Sequence, residues 1–248
     1  MPPSNSARSH PLPLHNQIAI VTGATRGIGL AIARALAAAG CNLILTARDQ
    51  SALRRISREL ASAKIKILAH PCDVRDPQSI DDLFRALRKQ FKRLDILINN
   101  AGIAHANLTV DKLPSALWKD VIDTNLTGTF LMTQAALPMM KPGGTIVNNL
   151  SIVANRVFAG SAAYVASKHG ALGFTNTLRE ELRPKGIRVI ALMPGATDTD
   201  IWNSFWPQAP RKKMMSPATI ATAAVNAILL PPNATLETLE ILPTVGLL

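Results

Sequence analysis

Tyr164 and Lys168 stand four residues apart in Tyr164-Val165-Ala166-Ser167-Lys168, a spacing that puts both on one face of a helix about one turn apart. A free phenol titrates near ~10, too high to give and take a proton efficiently at neutral pH, but a neighbouring ammonium favours phenolate and lowers that value. The pair could therefore serve as an acid/base. By itself such a spacing is common and most often structural, so its weight depends on what else the chain carries. A second feature lies near the start, where Thr22-Gly23-Ala24-Thr25-Arg26-Gly27-Ile28-Gly29 follows an apolar run and precedes a helical pattern. A glycine-rich turn at a helix N-terminus is a phosphate cradle: Gly23 permits the tight turn, Gly27 lets the backbone approach a pyrophosphate, and Gly29 allows helix to pack closely on strand. Thr25, Arg26 and Ile28 complete the loop. Its G-x-x-x-G-x-G spacing departs from the standard G-x-G-x-x-G, and such a turn can need glycine for geometry alone.

In a dinucleotide fold the residue at the tip of the second strand, about 20 positions beyond the glycines, is acidic when it grips an unmodified adenosine ribose. Here the chain reads Leu45-Thr46-Ala47-Arg48, and Asp49 is placed to begin or cap the following helix. Arg48 and Arg26 could instead clamp a 2′-phosphate, because guanidinium meets phosphate oxygens bidentately. This favours NADP(H) over NAD(H). The competing reading is that both arginines are merely exposed.

The elements that must position these residues follow from alternating apolar runs and helical patterns, the signature of a parallel sheet covered on both faces. Strands are expected at Ile18 to Thr22, Leu43 to Thr46, Lys66 to Ala69, Ile96 to Asn99, Thr145 to Leu150, Arg188 to Met193 and Leu239 to Leu242. Helices are expected at Ile28 to Ala39, Gln50 to Ala63, Pro77 to Phe91, Leu117 to Met140, Ala162 to Arg183 and Pro217 to Leu229. The expected fold class is α/β, a Rossmann-type doubly wound parallel sheet of seven strands. A Pro-rich tail over residues 1–16 would precede one domain over 17–248, within the size that a single core supports.

With Asn99-Asn100-Ala101-Gly102 after the fourth strand, Ser151 thirteen residues before Tyr164, and Pro194-Gly195 after the sixth strand, the chain resembles the short-chain dehydrogenase/reductase family over nearly its whole length after the tail. The resemblance extends to 3-oxoacyl-acyl-carrier-protein reductases. It implies an oxidoreductase that interconverts a carbonyl and a secondary alcohol by hydride transfer. Tyr164 would be the acid/base, Lys168 would lower its pKa and hold the nicotinamide ribose, and Ser151 would hydrogen-bond the substrate oxygen. Asn125, in Asp123-Thr124-Asn125-Leu126, matches the family asparagine that interrupts a long helix and supports a proton relay; a purely helix-bending role remains open. Asp73 and Val74 match the pair against the adenine, and Asn100, Ala101 and Gly102 would line the cofactor, with Asn99 tying strands together. Pro194, Gly195, Thr197 and Thr199 would meet the nicotinamide end. Thr197 replaces a usual aliphatic residue, and Leu150-Ser151 replaces a frequent Ser-Ser pair. A catalytically silent nucleotide sensor of the same fold is the alternative, although such proteins typically lose the tyrosine or lysine.

The formal net charge of +11 invites a nucleic-acid reading. The basic residues are scattered over helix faces and one loop, Arg211, Lys212 and Lys213, without a finger, helix-turn-helix or stacking signature, so no nucleic-acid partner is expected. The same loop could steer a carrier-linked acyl substrate. Only Cys41 and Cys72 occur, which argues against a disulfide framework or a cysteine zinc site and for a cytoplasmic location. No apolar run reaches the roughly 18 residues of a membrane span. Ile201, Trp202, Phe205, Trp206, Met214 and Met215 crowd the stretch where the family places its substrate lid; they could meet an apolar substrate or simply pack. Small residues from Ala162 to Gly173 permit close helix approach, and the resemblance, whose corresponding helix commonly builds a subunit interface, implies a homodimer or homotetramer.

Overall fold

The computed structural model describes residues 12–61 and 65–248. Seven parallel strands, β1 (Ile18–Thr22), β2 (Asn42–Ala47), β3 (Ile67–Pro71), β4 (Leu94–Asn99), β5 (Met140–Asn149), β6 (Arg188–Pro194) and β7 (Thr238–Ile241), form one sheet in the order β3-β2-β1-β4-β5-β6-β7. Between them lie α1 (Gly27–Ala38), α2 (Gln50–Leu60), α3 (Pro77–Gln90), α4 (Ser115–Ile122), α5 (Gly128–Ala136), α6 (Ala162–Leu182), α7 (Trp202–Phe205) and α8 (Pro217–Ile228). The strands are apolar along their length because the sheet is covered on both sides. Alternation along β1 divides the core: Ala19 and Val21 pack with Ile32 and Leu36 of α1, Leu53 and Ile56 of α2 and Ile220 of α8. Ile18 and Ile20 face the other way, onto Ile80 and Phe84 of α3, Met132 of α5 and Leu178 of α6.

The strand order reverses between β1 and β4, which pair directly. At such a switch point the following connections diverge to opposite faces and leave a crevice beyond the carboxyl ends of the strands. The glycine loop leaves β1 there and Asn100 to Gly102 leave β4 there, so the topology alone brings two of the sequence motifs together.

Several boundaries differ from expectation. The single helix expected over Leu117 to Met140 is divided: α4 and α5 are joined by a π-helical turn, Asp123–Thr127, and a short 3-10 turn, Leu137–Met139, follows with Pro138 in it. The side chain of Asn125 is captured by the backbone of Ile103, accepting from its N–H at 2.8 Å and donating to its carbonyl at 2.9 Å, which holds the inserted residue in place. Strand β5 starts at Met140, ahead of the expected Thr145, because Leu94 pairs with Met140 before an irregularity restores register at Ile96 and Thr145. Helix α2 ends at Leu60, and residues 62–64 lie outside the described residues. Of the expected tail, residues 1–11 lie outside the described residues, whereas residues 12–16 make a turn against the domain. Leu14 is buried and its N–H donates to the Ala39 carbonyl at 2.9 Å. Among the described residues no helix is long and apolar enough to cross a membrane.

Candidate active site

Gly23 and Gly27 adopt φ of +63° and +55°, a region that L side chains rarely occupy, and the loop they form delivers the chain to α1 without a side-chain cap. The first N–H groups of α1 therefore face the crevice unclaimed by a side chain, as an anion site requires. A Cβ at Gly29 would lie 2.3 Å from Asn100 Nδ2 and 2.4 Å from the Gly23 carbonyl oxygen. Only glycine lets helix and strand tips close on each other at this point.

Side-chain amides tie this loop to the neighbouring strand tips. Asn100 Nδ2 donates to the carbonyls of Thr22 and Gly23, and Thr22 Oγ1 accepts from the backbone N–H of Asn100 and Ala101. Asn149 Nδ2 donates to Asn100 Oδ1 at 2.8 Å, and the Asn149 carbonyl accepts from Lys168 Nζ at 3.0 Å. A continuous chain of hydrogen bonds thus runs from the glycine loop across β4 and β5 to Lys168. Behind it, Asn99 Nδ2 donates to Thr133 Oγ1 and Asn148 Oδ1, both at 2.9 Å, which is the strand-tying role expected of it.

At the tip of β2, Asp49 caps α2 by accepting from the N–H groups of Ser51 and Ala52 at 2.9 and 3.0 Å. Its carboxylate is spent on the helix. Arg48 and Arg55 line the same end of the crevice. Asp73 is fixed by Arg75, whose guanidinium holds the carboxyl below its usual range, with Arg48 adding to the effect. Arg26 approaches Asp200 at 3.8 Å with both side chains largely exposed, a weak pair that either partner can leave.

Tyr164 and Lys168 lie on α6, and Ser151 begins the turn after β5. The Lys168 ammonium sits 5.7 Å from the centre of the Tyr164 ring. Burial pushes the Tyr164 phenol up to about 12, with hydrogen bonding to Ser151 opposing the shift. Burial also pushes Lys168 down to about 8. This reverses the direction expected from the sequence for the phenol: Lys168 Nζ is turned to the Asn149 carbonyl, and burial is the dominant cause. Asn125 Nδ2 also donates to Ser167 Oγ at 3.0 Å, so the π-helical turn grips α6 one residue before Lys168.

The glycine loop, the tips of β2, β3, β4 and β5, and the Ser151, Tyr164 and Lys168 side chains open onto one cleft of 1260 Å³. Of the catalytic and cofactor residues expected from the sequence, Gly29 and Asn125 lie behind its wall; Gly23, Thr25, Arg26, Gly27, Ile28, Arg48, Asp73, Val74, Asn100, Ala101, Gly102, Ser151, Tyr164, Lys168, Pro194, Gly195, Thr197 and Thr199 all line it, whereas Met214 and Met215 of the expected substrate lid do not. Thr199 covers the glycine loop, 3.2 Å from where a Gly27 Cβ would be. In the backbone near Thr197, expected to meet the nicotinamide end, the Thr197 carbonyl accepts from Trp202 Nε1 at 2.8 Å and so anchors the lid. Sequence reasoning missed Arg55, read there as part of a solvated face, and Asn149. Arg55 follows Ala52, which also lines the cleft, by one helical turn, a signal readable once Asp49 is fixed as the cap. Nothing in the sequence singled out Asn149.

The sequence model of the short chain dehydrogenase family matches residues 17–210. The chain is 36% identical over 244 residues to the 3-oxoacyl-acyl-carrier-protein reductase of Vibrio cholerae, covering 94% of this chain and 97% of the relative. Its fold is similar to that of an alcohol dehydrogenase from the archaeon Thermococcus sibiricus solved with 5-hydroxy-NADP, with a TM-score of 0.86 at 30% identity over 92% of this chain and 97% of that one. It is also similar to the 3-ketoacyl-acyl-carrier-protein reductase from Brucella melitensis solved with NADH, with a TM-score of 0.84 at 27% identity over 93% and 98% of the two chains. With the glycine loop, the switch-point crevice and the serine, tyrosine and lysine around one cleft, the chain belongs to the short-chain dehydrogenase family and is an oxidoreductase.

Proposed function

We propose that the protein interconverts a ketone and a secondary alcohol with NADP(H). The observation that carries this reading is the convergence of Ser151, Tyr164 and Lys168 on the cleft that also receives the open N-terminus of α1. The residues present fit the dinucleotide. The uncapped helix end and the glycines suit its pyrophosphate, Arg48 and Arg55 suit a 2′-phosphate, and Asp49 is occupied elsewhere. When bound, NADPH supplies the hydride that forms the new C–H bond and is oxidised to NADP⁺.

The protein's own residues handle the other half of the reaction. In reduction the Tyr164 phenol donates its proton to the carbonyl oxygen, completing the alcohol, and takes it back in oxidation. The Ser151 hydroxyl, which lines the same cleft as the phenol, orients that oxygen. Lys168, held by the Asn149 carbonyl, supplies positive charge beside the phenolate and holds the nicotinamide ribose. Asn125 keeps α6 seated through Ser167 and supports proton return from the lysine. Pro194, Gly195, Thr197 and Thr199 close the cleft over the nicotinamide end.

The substrate is a small carbonyl compound, free or linked to a carrier, the latter suggested by the name of the Vibrio cholerae relative. Lys212 and Lys213 are exposed for such a carrier, whereas Arg211 is engaged with Asp198, Thr199 and Asn203. A homodimer or homotetramer formed through the α4, α5 and α6 face, where Trp118 and Phe130 are exposed, completes the reading.

Fluorescence titration with NADPH and NADH tests the nucleotide choice. Wild type is expected to bind NADPH more tightly, and Arg48→Ala to lose tenfold or more toward NADPH, about 1.4 kcal/mol, with little change toward NADH. Equal or better binding of NADH overturns the arginine assignment.

A further inference from the structure

Half of the chain's ten aromatic residues line the one cleft. Phe158 and Tyr164 stand on the wall; Trp202, Phe205 and Trp206 come from α7 and the residue after it. The rings form a connected series. Trp206 and Trp202 have centroids 6.2 Å apart, Trp202 and Phe205 5.6 Å, and Phe205 and Tyr164 6.4 Å, all within the ~4.5–7 Å over which aromatic pairs attract.

These rings are not filling the domain core. Phe84 and Phe91 are, at 1% and 5% exposure, whereas Phe158 and Trp206 remain 37% and 41% exposed. Their base is nevertheless held by hydrogen bonds. Trp202 Nε1 donates to the Thr197 carbonyl, Arg211 bonds Asp198, the Thr199 carbonyl and Asn203, and Met215 pairs with the backbone on either side of Thr197. A segment fixed at its root that leaves aromatic faces open beside the catalytic phenol is built to receive something flat and apolar.

Charge is distributed in the same sense. Apart from Lys168, the charged side chains of the cleft belong to the glycine loop, the tips of β2 and β3, α2, and Asp200, which pairs with Arg26. The rest of the lining includes Ala104, Ile152, Val153 and Ala159, with Asn107, Ser204 and Gln208 as uncharged polar groups. The volume of 1260 Å³ exceeds the ~300–1,000 Å³ of a single ligand pocket, leaving room for a second molecule besides a dinucleotide.

Resting on the reductase reading above, we infer that the substrate is an uncharged ketone that carries an aromatic or fused-ring group close to its carbonyl, with Phe205 and Trp202 stacking on that group while Tyr164 meets the oxygen. Phe205 determines the preference because it is the ring of the lid that reaches Tyr164.

NADPH oxidation is measured with phenylacetone, with cyclohexylacetone and 2-nonanone as partners matched in carbon count, and with acetoacetyl-coenzyme A, for wild type and Phe205→Leu. The leucine keeps apolar bulk and removes the ring. Expected are a kcat/KM for phenylacetone at least tenfold above its matched partners and a fall of that ratio by fivefold or more in Phe205→Leu. Ratios within twofold of unity, a preference untouched by Phe205→Leu, or acetoacetyl-coenzyme A as the best substrate would each overturn the aromatic assignment and leave the reductase reading standing. Turnover of none of the four would overturn both.

Discussion

The glycine-loop end of the cleft and its lid end are held together by different means. At the first, the tips of β1, β4 and β5 are joined by the amides of Asn100 and Asn149 and by Thr22, and a glycine allows contacts too close for any Cβ. At the second, a short helix is moored by one indole and one guanidinium, and its aromatic faces stay open. The contrast separates two requirements: a common reactant demands a fixed cradle whose atoms cannot shift, and a particular substrate demands a surface that can change without disturbing the sheet. Tyr164, Ser151 and Lys168 stand where the two meet.

The largest test removes the group at the junction. Tyr164→Phe is expected to lower kcat by ~10²–10⁴ while the NADPH dissociation constant, read by fluorescence, moves less than threefold. A parallel loss of nucleotide binding would break the separation between the two ends.

In the cradle, Gly29→Ala forces a methyl against Asn100 and the Gly23 carbonyl. Destabilisation by ~1–3 kcal/mol is expected, with weaker NADPH binding. Urea denaturation and nucleotide titration of the same sample would show the two losses together; an unchanged denaturation midpoint would mean that the loop is pliant.

Lys168 sharpens the comparison through pH. Its folded value of about 8 lies below the ~10.4 of an unfolded lysine. Between these values the unfolded chain binds more protons through this group, so its contribution makes stability rise with pH across that window, its cost being fully present below pH 8. The phenol acts oppositely, lowering stability as pH rises from 10 toward 12. The buried thiols of Cys41 and Cys72, both pushed up by burial, also act oppositely, from the ~8.5 of a free thiol upward. The difference between wild type and Lys168→Met isolates the lysine: the variant's relative stability is expected to be greatest at pH 7 and to shrink toward pH 10. Denaturation midpoints at several pH values measure it, and a constant difference would contradict the assigned burial effect. The smallest effect belongs to the lid. Trp206→Ala is expected to leave unfolding within ~0.5 kcal/mol of wild type, because that ring is already 41% exposed; a larger loss would make it a core residue.

The sheet was readable because its strands are apolar on both faces and are punctuated by glycine turns, and the cleft because Gly23, Ser151, Tyr164 and Lys168 sit at strand tips or on the helix that follows. What escaped reading depended on contacts distant in sequence. The π-helical turn arises where Asn125 meets Ile103, and the apolar pattern around it continues as if the helix were unbroken. Lys141-Pro142-Gly143-Gly144 looks like a loop, yet β5 begins before it because Leu94 pairs with Met140. Arg55 was one of three arginines on α2 until the sheet showed which faced the cleft. The direction of the phenol's shift needed the depth of burial, and no spacing of letters encodes that depth.

Tyr164 is the chain's only tyrosine. The near-ultraviolet band of tyrosinate in the native protein therefore comes from a single oxygen, the one at the junction of cradle and lid. An absorbance titration of the unmodified chain reports that group without labelling or mutation, and the displacement of its midpoint by an added nucleotide or ketone measures how strongly each ligand communicates with the proton-bearing atom.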